Sequence, residues 1–246
     1  MKKMIKSGIA ALAVVASAMT FAQDAAEAAN ESVSDGEGVV GWTPVALSLA
    51  SPVQFPYGCA RWDVFGLALG IFYNDAPILK GVDISLANRV REEFTGISFG
   101  GIFNWSGSDA YGVRATLGGN FASGTTYGWD IGGFGYRKDF YGLDTELVCG
   151  VQDSLHGAQV SLLGSYTKKD CWGLTAGCFN FANQMHGVQL GFLYNQTEVL
   201  KGMQVALVNY ARECPSGCQI GIVNIILDNQ IKVLPIFNCY FGSVER

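Results

Sequence analysis

The chain has 246 residues and a formal net charge of −5; 49% of its residues are hydrophobic, 15% are charged and 32 are Gly. Its 16 Lys and Arg residues are scattered, which argues against a nucleic-acid-binding protein because such proteins carry a basic patch. A soluble repeat protein normally needs a more charged surface, so the composition favours a wall that faces lipid.

The N-terminus is typical of a secretory signal peptide. Three lysines within the first six residues precede an uncharged, mostly apolar run from Ile9 to Phe21, and small residues near Ala18 and Ala22 offer cleavage sites. We therefore expect a signal peptide at residues 1–22 and an exported protein of the outer membrane or cell surface. An Ala-rich, acidic segment at 23–40 predicts a disordered leader. The repeat β domain is expected at 41–241, followed by a short tail at 242–246.

The folded part is an internal repeat of about 15 residues. Each of eleven units opens with a Gly, and successive gaps are 14 to 16 residues. One, three and five residues after that Gly no residue is charged, whereas two residues after it small or polar residues dominate. This period of two is typical of a strand with one apolar face and one small, polar face. The opening residues are Gly66, Gly81, Gly96, Gly112, Gly128, Gly142, Gly157, Gly173, Gly187, Gly202 and Gly217.

Two closed all-β architectures fit such strands. The first is an antiparallel up-and-down outer-membrane β-barrel of 12–14 strands, whose expected partner is outer-membrane lipid. Strands of about ten residues have the required length, and aromatic residues stand at both ends of the apolar face, as in interfacial girdles. The girdle candidates are Phe65, Tyr73, Phe103, Tyr111, Tyr127, Tyr141, Trp172 and Tyr194, and the lumen-lining candidates are Asp83, Arg114, Asp130, Asp144 and Glu146.

The second architecture is a parallel β-solenoid with one coil per unit. In its favour, the motif recurs every 15 residues rather than every 30. Gln159, Gln189, Gln204 and Gln219 share one column and could form a hydrogen-bonded ladder, which requires parallel neighbours in register. An apolar layer six residues after each Gly also fits a solenoid core, and in this architecture the apolar strand face is expected to be buried. The aromatic positions and the low charge favour the barrel.

Part of the sequence resembles a family of bacterial exported surface-repeat proteins in which Gly-Leu-Gln-Ile-Gly-Leu-Val-Asn recurs. The similar blocks are residues 187–195, 202–209 and 217–224, and the ending at 234–241 is similar to that family's terminal motif. The resemblance covers about residues 44–241. It implies an exported location and a repeat architecture, but no activity, because the family carries none that is established.

The sequence holds few groups that could carry chemistry. Asp130, Asp144 and Glu146 share one face of neighbouring units; paired carboxylates can serve acid–base catalysis or favour cations in a lumen, but solvation or pairing with Arg114 is the expected role. The seven Cys lack the spacing of a zinc site.

The two His residues, His156 and His186, both stand directly before a unit's Gly, where they fit an aromatic slot better than a catalytic or metal site. We expect no cofactor, no metal, no nucleic acid and no identifiable small-molecule ligand. The expected function is non-enzymatic: a structural barrel or narrow pore, or, in the solenoid, an adhesion or interaction module.

Overall fold

The computed structural model describes residues 39, 41–50, 53–57 and 59–240. These residues form a stack of β-strands and contain no α-helix. The all-β repeat prediction is therefore confirmed. The predicted signal peptide and tail lie outside the described residues, as does the leader except for residue 39. The elements are β1 (Gly41–Ala50), β2 (Val53–Phe55), a 3-10 turn (Cys59–Arg61), β3 (Trp62–Gly70), β4 (Tyr73–Ala76), β5 (Leu79–Val90), β6 (Phe94–Ser106), β7 (Ala110–Thr116), β8 (Gly119–Ala122), β9 (Thr125–Ser161), β10 (Gly164–Val205), β11 (Val208–Ile226) and β12 (Val233–Cys239).

The strands of successive units run parallel. Parallel pairs join β3 to β5, β5 to β6, β6 to β7, β7 to β9, β9 to β10 and β10 to β11. The expected antiparallel barrel is therefore wrong, and the alternative, a parallel β-solenoid with one coil per unit, is correct. The reason is the register: identical columns, such as Gly66, Gly81 and Gly96, lie directly opposite one another, which requires neighbouring strands to share a direction.

Each unit forms one coil with two strand segments. The first half of β5 pairs with β3 and its second half pairs with β4, so the chain bends between the segments. β9, β10 and β11 are longer because their extended conformation continues through the bends. Each of them therefore includes more than one of the short segments that make up the coils. Because each unit contributes the same two segments, every residue column of the repeat becomes a straight row along the stack.

The opening glycines form one such row. Ten of them, from Gly66 to Gly202, have φ values from +127° to +151°, a conformation that L side chains rarely adopt. A Cβ at Gly157 would also overlap the carbonyl oxygen of Gly142 in the preceding coil, and the same clash recurs along the row. Gly is required here for two reasons, backbone conformation and close approach of the coils.

The coil interior is formed by the strand face that the sequence marks as polar. Gln189 and Gln204 are 0% exposed, whereas Leu190, which follows Gln189 in the strand, is 40% exposed. The expectation that a solenoid would bury the apolar face is wrong, and so is the assignment of the layer six residues after the Gly to the core, since Phe72 and Ile102 are exposed. The interior is lined by short and amide side chains that fit between two closely spaced strand segments.

Apolar residues also enter the interior, two residues before nine of the eleven opening glycines. They form two separate buried clusters, one around Leu79 and Phe94 and the other around Phe140, Leu155 and Leu200. Burial of each such side chain contributes roughly 1.5–3 kcal/mol. Polar groups fill the interior between and beside these clusters, so the two apolar clusters alone do not define the core.

Both ends of the parallel stack carry an antiparallel strand. At the N-terminal end β2 pairs antiparallel with β1, and at the C-terminal end β12 pairs antiparallel with β11. β12 also contains Pro235, which lacks an N–H group and is tolerated at sheet edges. β12 covers the edge of β11 from Cys218 to Ile225, and β2 covers the end of β1 from Leu47 to Ala50, where unpaired backbone groups would otherwise recruit further strands.

The glycine row makes a direct prediction. Gly157→Ala should destabilise the fold by about 3 kcal/mol or more, because a Cβ there meets backbone rather than a movable side chain and φ is unfavourable. Gly41→Ala is the matched control: its Cβ would only touch the Trp62 ring at 3.9 Å, so a change within about 1 kcal/mol is expected. Chemical denaturation of both variants measures the difference, and equal stabilities would contradict the stacking geometry.

Candidate interaction surface

Buried amide ladders hold the coils in register. Gln204 donates from Nε2 to Oε1 of Gln189 at 2.7 Å, and Gln219 donates likewise to Gln204 at 2.8 Å. The predicted Gln ladder is thus confirmed for three of its four members. Gln159 instead donates to Asp144 at 2.8 Å and pairs with Gln152. Each bond satisfies a buried amide that would otherwise be costly.

A second ladder of Asn side chains runs along the other strand segment and was not predicted. Asn180 donates to Asn195, Asn195 to Asn209 and Asn209 to Asn224, at 2.9–3.1 Å. Asn104 makes the same bond to Asn120 at 2.9 Å. The signal was present in the sequence, since an Asn recurs seven or eight residues after many of the opening glycines.

The five residues expected to line a lumen are buried inside the coils. Four of them meet in one ion-paired group with Arg137, which was not predicted. Arg114 binds Asp130 through two bonds of 2.9 and 2.6 Å. Arg137 approaches Asp144 and Glu146 at 2.7 Å each and Asp130 at 3.5 Å. The carboxylates are therefore enclosed and paired with Arg, and are not presented to a substrate in solution.

The protonation of this group follows from its burial. Burial lowers the pKa of Arg137, but Asp144, Asp130 and Glu146 outweigh that effect and raise it above its ordinary value. Burial, together with the charge of Asp144, raises the pKa of Glu146 well above its usual range. The group thus brings two guanidinium groups and three carboxyl groups together inside the coils.

Asp83, the fifth residue, lies apart from the group and is fully buried. Burial raises the pKa of its carboxyl to about 7, even though Asn74 donates a hydrogen bond to it at 2.6 Å, which acts in the opposite direction. Its second oxygen has no hydrogen-bond partner. The two influences on its pKa are burial and the Asn74 hydrogen bond, whereas Asp130 is held by the guanidinium of Arg114.

The residues that alternate with these buried rows form an exposed apolar face of the sheet. We define the apolar face as the residues one, three and five positions after each opening Gly, a set that contains no charged residue. The outermost side chains are among the most exposed of the protein: Leu147 is 65% exposed and Phe192 is 70% exposed. An open, shallow groove on this face is lined in part by Leu147, Val160, Leu162 and Phe192. A charge-free apolar face that continues over eleven coils is unusual for a monomer.

An aromatic row runs along one margin of the apolar face, one position before seven of the eleven opening glycines. Tyr127 stacks between Tyr111 and Tyr141, with ring centroids 5.1 and 4.9 Å apart, and His156 stacks on Tyr141 at 4.5 Å. His186 stacks on Trp172 at 3.9 Å. Because the ring planes cover one another, this row presents ring edges to solvent.

The predicted girdle residues do not form two rings around a barrel. Five of them, Phe65, Tyr111, Tyr127, Tyr141 and Trp172, are exposed in the marginal row. The other three, Tyr73, Phe103 and Tyr194, are half-buried where each coil enters its second strand segment. Both sets therefore follow the long axis of the stack.

Exposed charges are concentrated in the second half of each unit. Surface ion pairs there join neighbouring coils: Arg212 with Glu198 at 3.3 Å, and Lys168 with Asp153 at 3.1 Å. Lys80 and Lys201 interrupt the marginal row. The molecule thus separates a charged side from an uncharged apolar face.

Six cysteines with described side chains have no disulfide partner in the structure, and Cys149, Cys171 and Cys214 among them are buried. Burial raises the pKa of Cys149 to about 11 and that of Cys171 to about 12, so these thiols are poor nucleophiles at neutral pH. Within the described ranges, no group of three or more His, Cys, Asp and Glu side chains is arranged to hold a metal ion. The same part of the chain has no helix with the length and hydropathy that a membrane crossing requires.

Comparisons with known proteins found no match: no family model matches the chain, and no curated protein and no solved structure is detectably similar to it. The β-solenoid fold is consistent, at a coarse level, with a surface or interaction module.

Asp83 makes stability depend on pH. Its folded-state pKa of about 7 lies above the ordinary value of 3.8, so the folded state holds its proton more tightly, and stability falls as pH rises from about 4 to about 7. Asp83→Asn removes the buried charge and should stabilise the protein by about 2–4 kcal/mol at pH 8, with little change at pH 4.

Denaturant titrations at both pH values measure this effect. The exposed Glu213→Gln substitution is the control and should give no comparable gain at pH 8. An Asp83→Asn variant that is less stable than the parent at pH 8 would show that the buried carboxylate is stabilising.

Proposed function

We propose that the chain is an exported, non-enzymatic interaction module that binds through its apolar face. The observation that carries this proposal is the exposure of a charge-free apolar sheet across eleven stacked coils. Solvated apolar area of this extent is costly, and covering it on binding contributes about 25 cal/mol for each Å² removed from water. Export is supported by the N-terminal sequence alone.

The potential catalytic groups support a binding role rather than chemistry. Asp130, Asp144 and Glu146 are enclosed in the coil and paired with Arg side chains. His156 and His186 are occupied by stacking against neighbouring aromatic rings. Both groups thus have structural roles that explain their presence.

The face suits a flat apolar partner better than a sugar. Carbohydrates stack on exposed ring planes, but the rings of Tyr127 and Tyr141 are covered by their neighbours in the marginal row. A charged partner would lose solvation without gaining an opposite charge, because the face offers none. We therefore infer an apolar binding partner.

The proposal predicts a loss of apolar binding when a charge is placed on the face. Phe192→Lys should weaken capture by polystyrene beads about tenfold, because it removes one large, exposed apolar side chain worth roughly 1.5–3 kcal/mol when buried. The exposed lysine can remain solvated, so the fold should be retained, which circular dichroism and thermal unfolding check.

Asn183→Lys is the matched control, since Asn183 is exposed outside the apolar face. It adds the same charge and should leave bead capture unchanged. Equal capture of the Phe192→Lys variant and the parent would refute the apolar face as the binding surface.

A further inference from the structure

We propose that the occupant of the apolar face is a second copy of this chain, packed face to face across a twofold axis. This inference rests on the proposed function and names its partner. Two sheets pack about 10 Å apart when their inner faces are apolar and regular. A second copy offers a face of identical size, flatness and lack of charge.

The area of the face is sufficient for a stable dimer. Ten intervals of about 4.8 Å between eleven coils give a length of about 48 Å. The apolar face together with the aromatic row at its margin spans seven residues, and six intervals of about 3.3 Å give a width of about 20 Å. The resulting area of about 1,000 Å² per copy exceeds the roughly 800 Å² that each partner buries in a standard stable interface.

The ends of the stack direct association to the face. Antiparallel partners already occupy β11 from Cys218 to Ile225 and β1 from Leu47 to Ala50, which reduces the strand edge open to end-to-end addition of coils. The charged side carries ion pairs such as Arg212 with Glu198 and remains in water. The apolar face is then the surface left for a closed, self-complementary contact.

A lipid surface fits the structure less well. Peripheral proteins that lie on membranes normally combine apolar groups with a basic rim that attracts anionic lipid. This chain has a net charge of −5, and at the margin of its face only scattered lysines, such as Lys80 and Lys201, interrupt the aromatic row. A second copy does not require a basic rim.

Sedimentation equilibrium of the purified protein tests the proposal. The parent should be a dimer at micromolar concentration. In a twofold contact one substitution acts twice, so Phe192→Lys should raise the dimer dissociation constant about 100-fold, whereas Asn183→Lys should leave it unchanged.

Other outcomes overturn self-pairing. A monomeric parent that still binds polystyrene beads would reject the second copy but keep the interaction module. A monomeric parent that binds phosphatidylcholine vesicles would make lipid the occupant. A dimer unaffected by Phe192→Lys, or open-ended growth of larger species, would place the contact elsewhere.

A second, independent observation concerns the C-terminal end of the stack. Cys218 in β11 lies directly opposite Cys239 in the antiparallel strand β12. The adjacent Tyr240 N–H donates to the Gly217 carbonyl at 3.2 Å, which makes the cysteines a non-hydrogen-bonded pair. Such pairs have a Cα separation of about 4.5 Å, within the range that a disulfide spans.

We infer that Cys218 and Cys239 form a disulfide that fastens β12 to the last coil. Cys214 is the nearest competitor, but its side chain is fully buried, whereas both paired thiols are half-buried and accessible. One thiolate attacks an external disulfide such as oxidised glutathione and releases one glutathione thiolate. The second thiolate then attacks the mixed disulfide and releases the other, so two protein thiols are oxidised and one external disulfide is reduced.

Oxidised glutathione and non-reducing peptide mapping test this site. A peptide linked through Cys218 and Cys239 is expected, with a rise in Tm of roughly 5–10 °C. Cys239→Ser should abolish that rise, and Cys178→Ser, which removes another half-buried thiol, should not. A Cys214–Cys218 link, or glutathione adducts on both thiols without a link, would overturn the assignment.

Discussion

Close contact between the stacked glycines sets the geometry on which the whole molecule depends. The carbonyl oxygen of one Gly lies where a Cβ of the next coil would be, as at Gly142 and Gly157. Coils can approach this closely only with Gly at that position, so successive units align on it without offset. Every other column of the repeat is then brought into register, which lets identical amides reach one another, as Gln189, Gln204 and Gln219 do.

This register allows a polar interior and therefore an apolar exterior. A buried amide in each coil would be costly if it had no partner. Because the coils are in register, each amide of the ladder forms a hydrogen bond with the same residue type in a neighbouring coil. Because side chains alternate along a strand, the large aliphatic and aromatic residues then point outward. The close stacking of the coils at the Gly row places them side by side in one continuous face. The surface available for binding is thus a consequence of how the interior is satisfied.

The sequence revealed the strands but not which face would be enclosed. Period two around each Gly identified the strand class, and the Gln column correctly implied parallel neighbours. The two architectures then assigned the faces in opposite ways. The barrel, wrong in its strand direction, turned the apolar face outward, whereas the solenoid was expected to bury it; in the structure Leu190 is exposed and Gln189 is buried. That outcome depends on the space between two strand segments and on pairing between coils, neither of which is local in sequence. Arg137 was missed for the same reason, since its partners come from different coils.

The buried ion-paired group distinguishes coils that are otherwise interchangeable. Near the C-terminus, a folding chain that looped out one whole unit could still place Gly on Gly and Gln on Gln. Looping out the unit that opens at Gly112 would instead remove Arg114 and bring Asp130 beside Ser98, enclosing a carboxylate without one of its cations. An unpaired buried charge costs several kcal/mol. The group therefore penalises omission of the unit that opens at Gly112 and fixes the register of the coils that contribute to it.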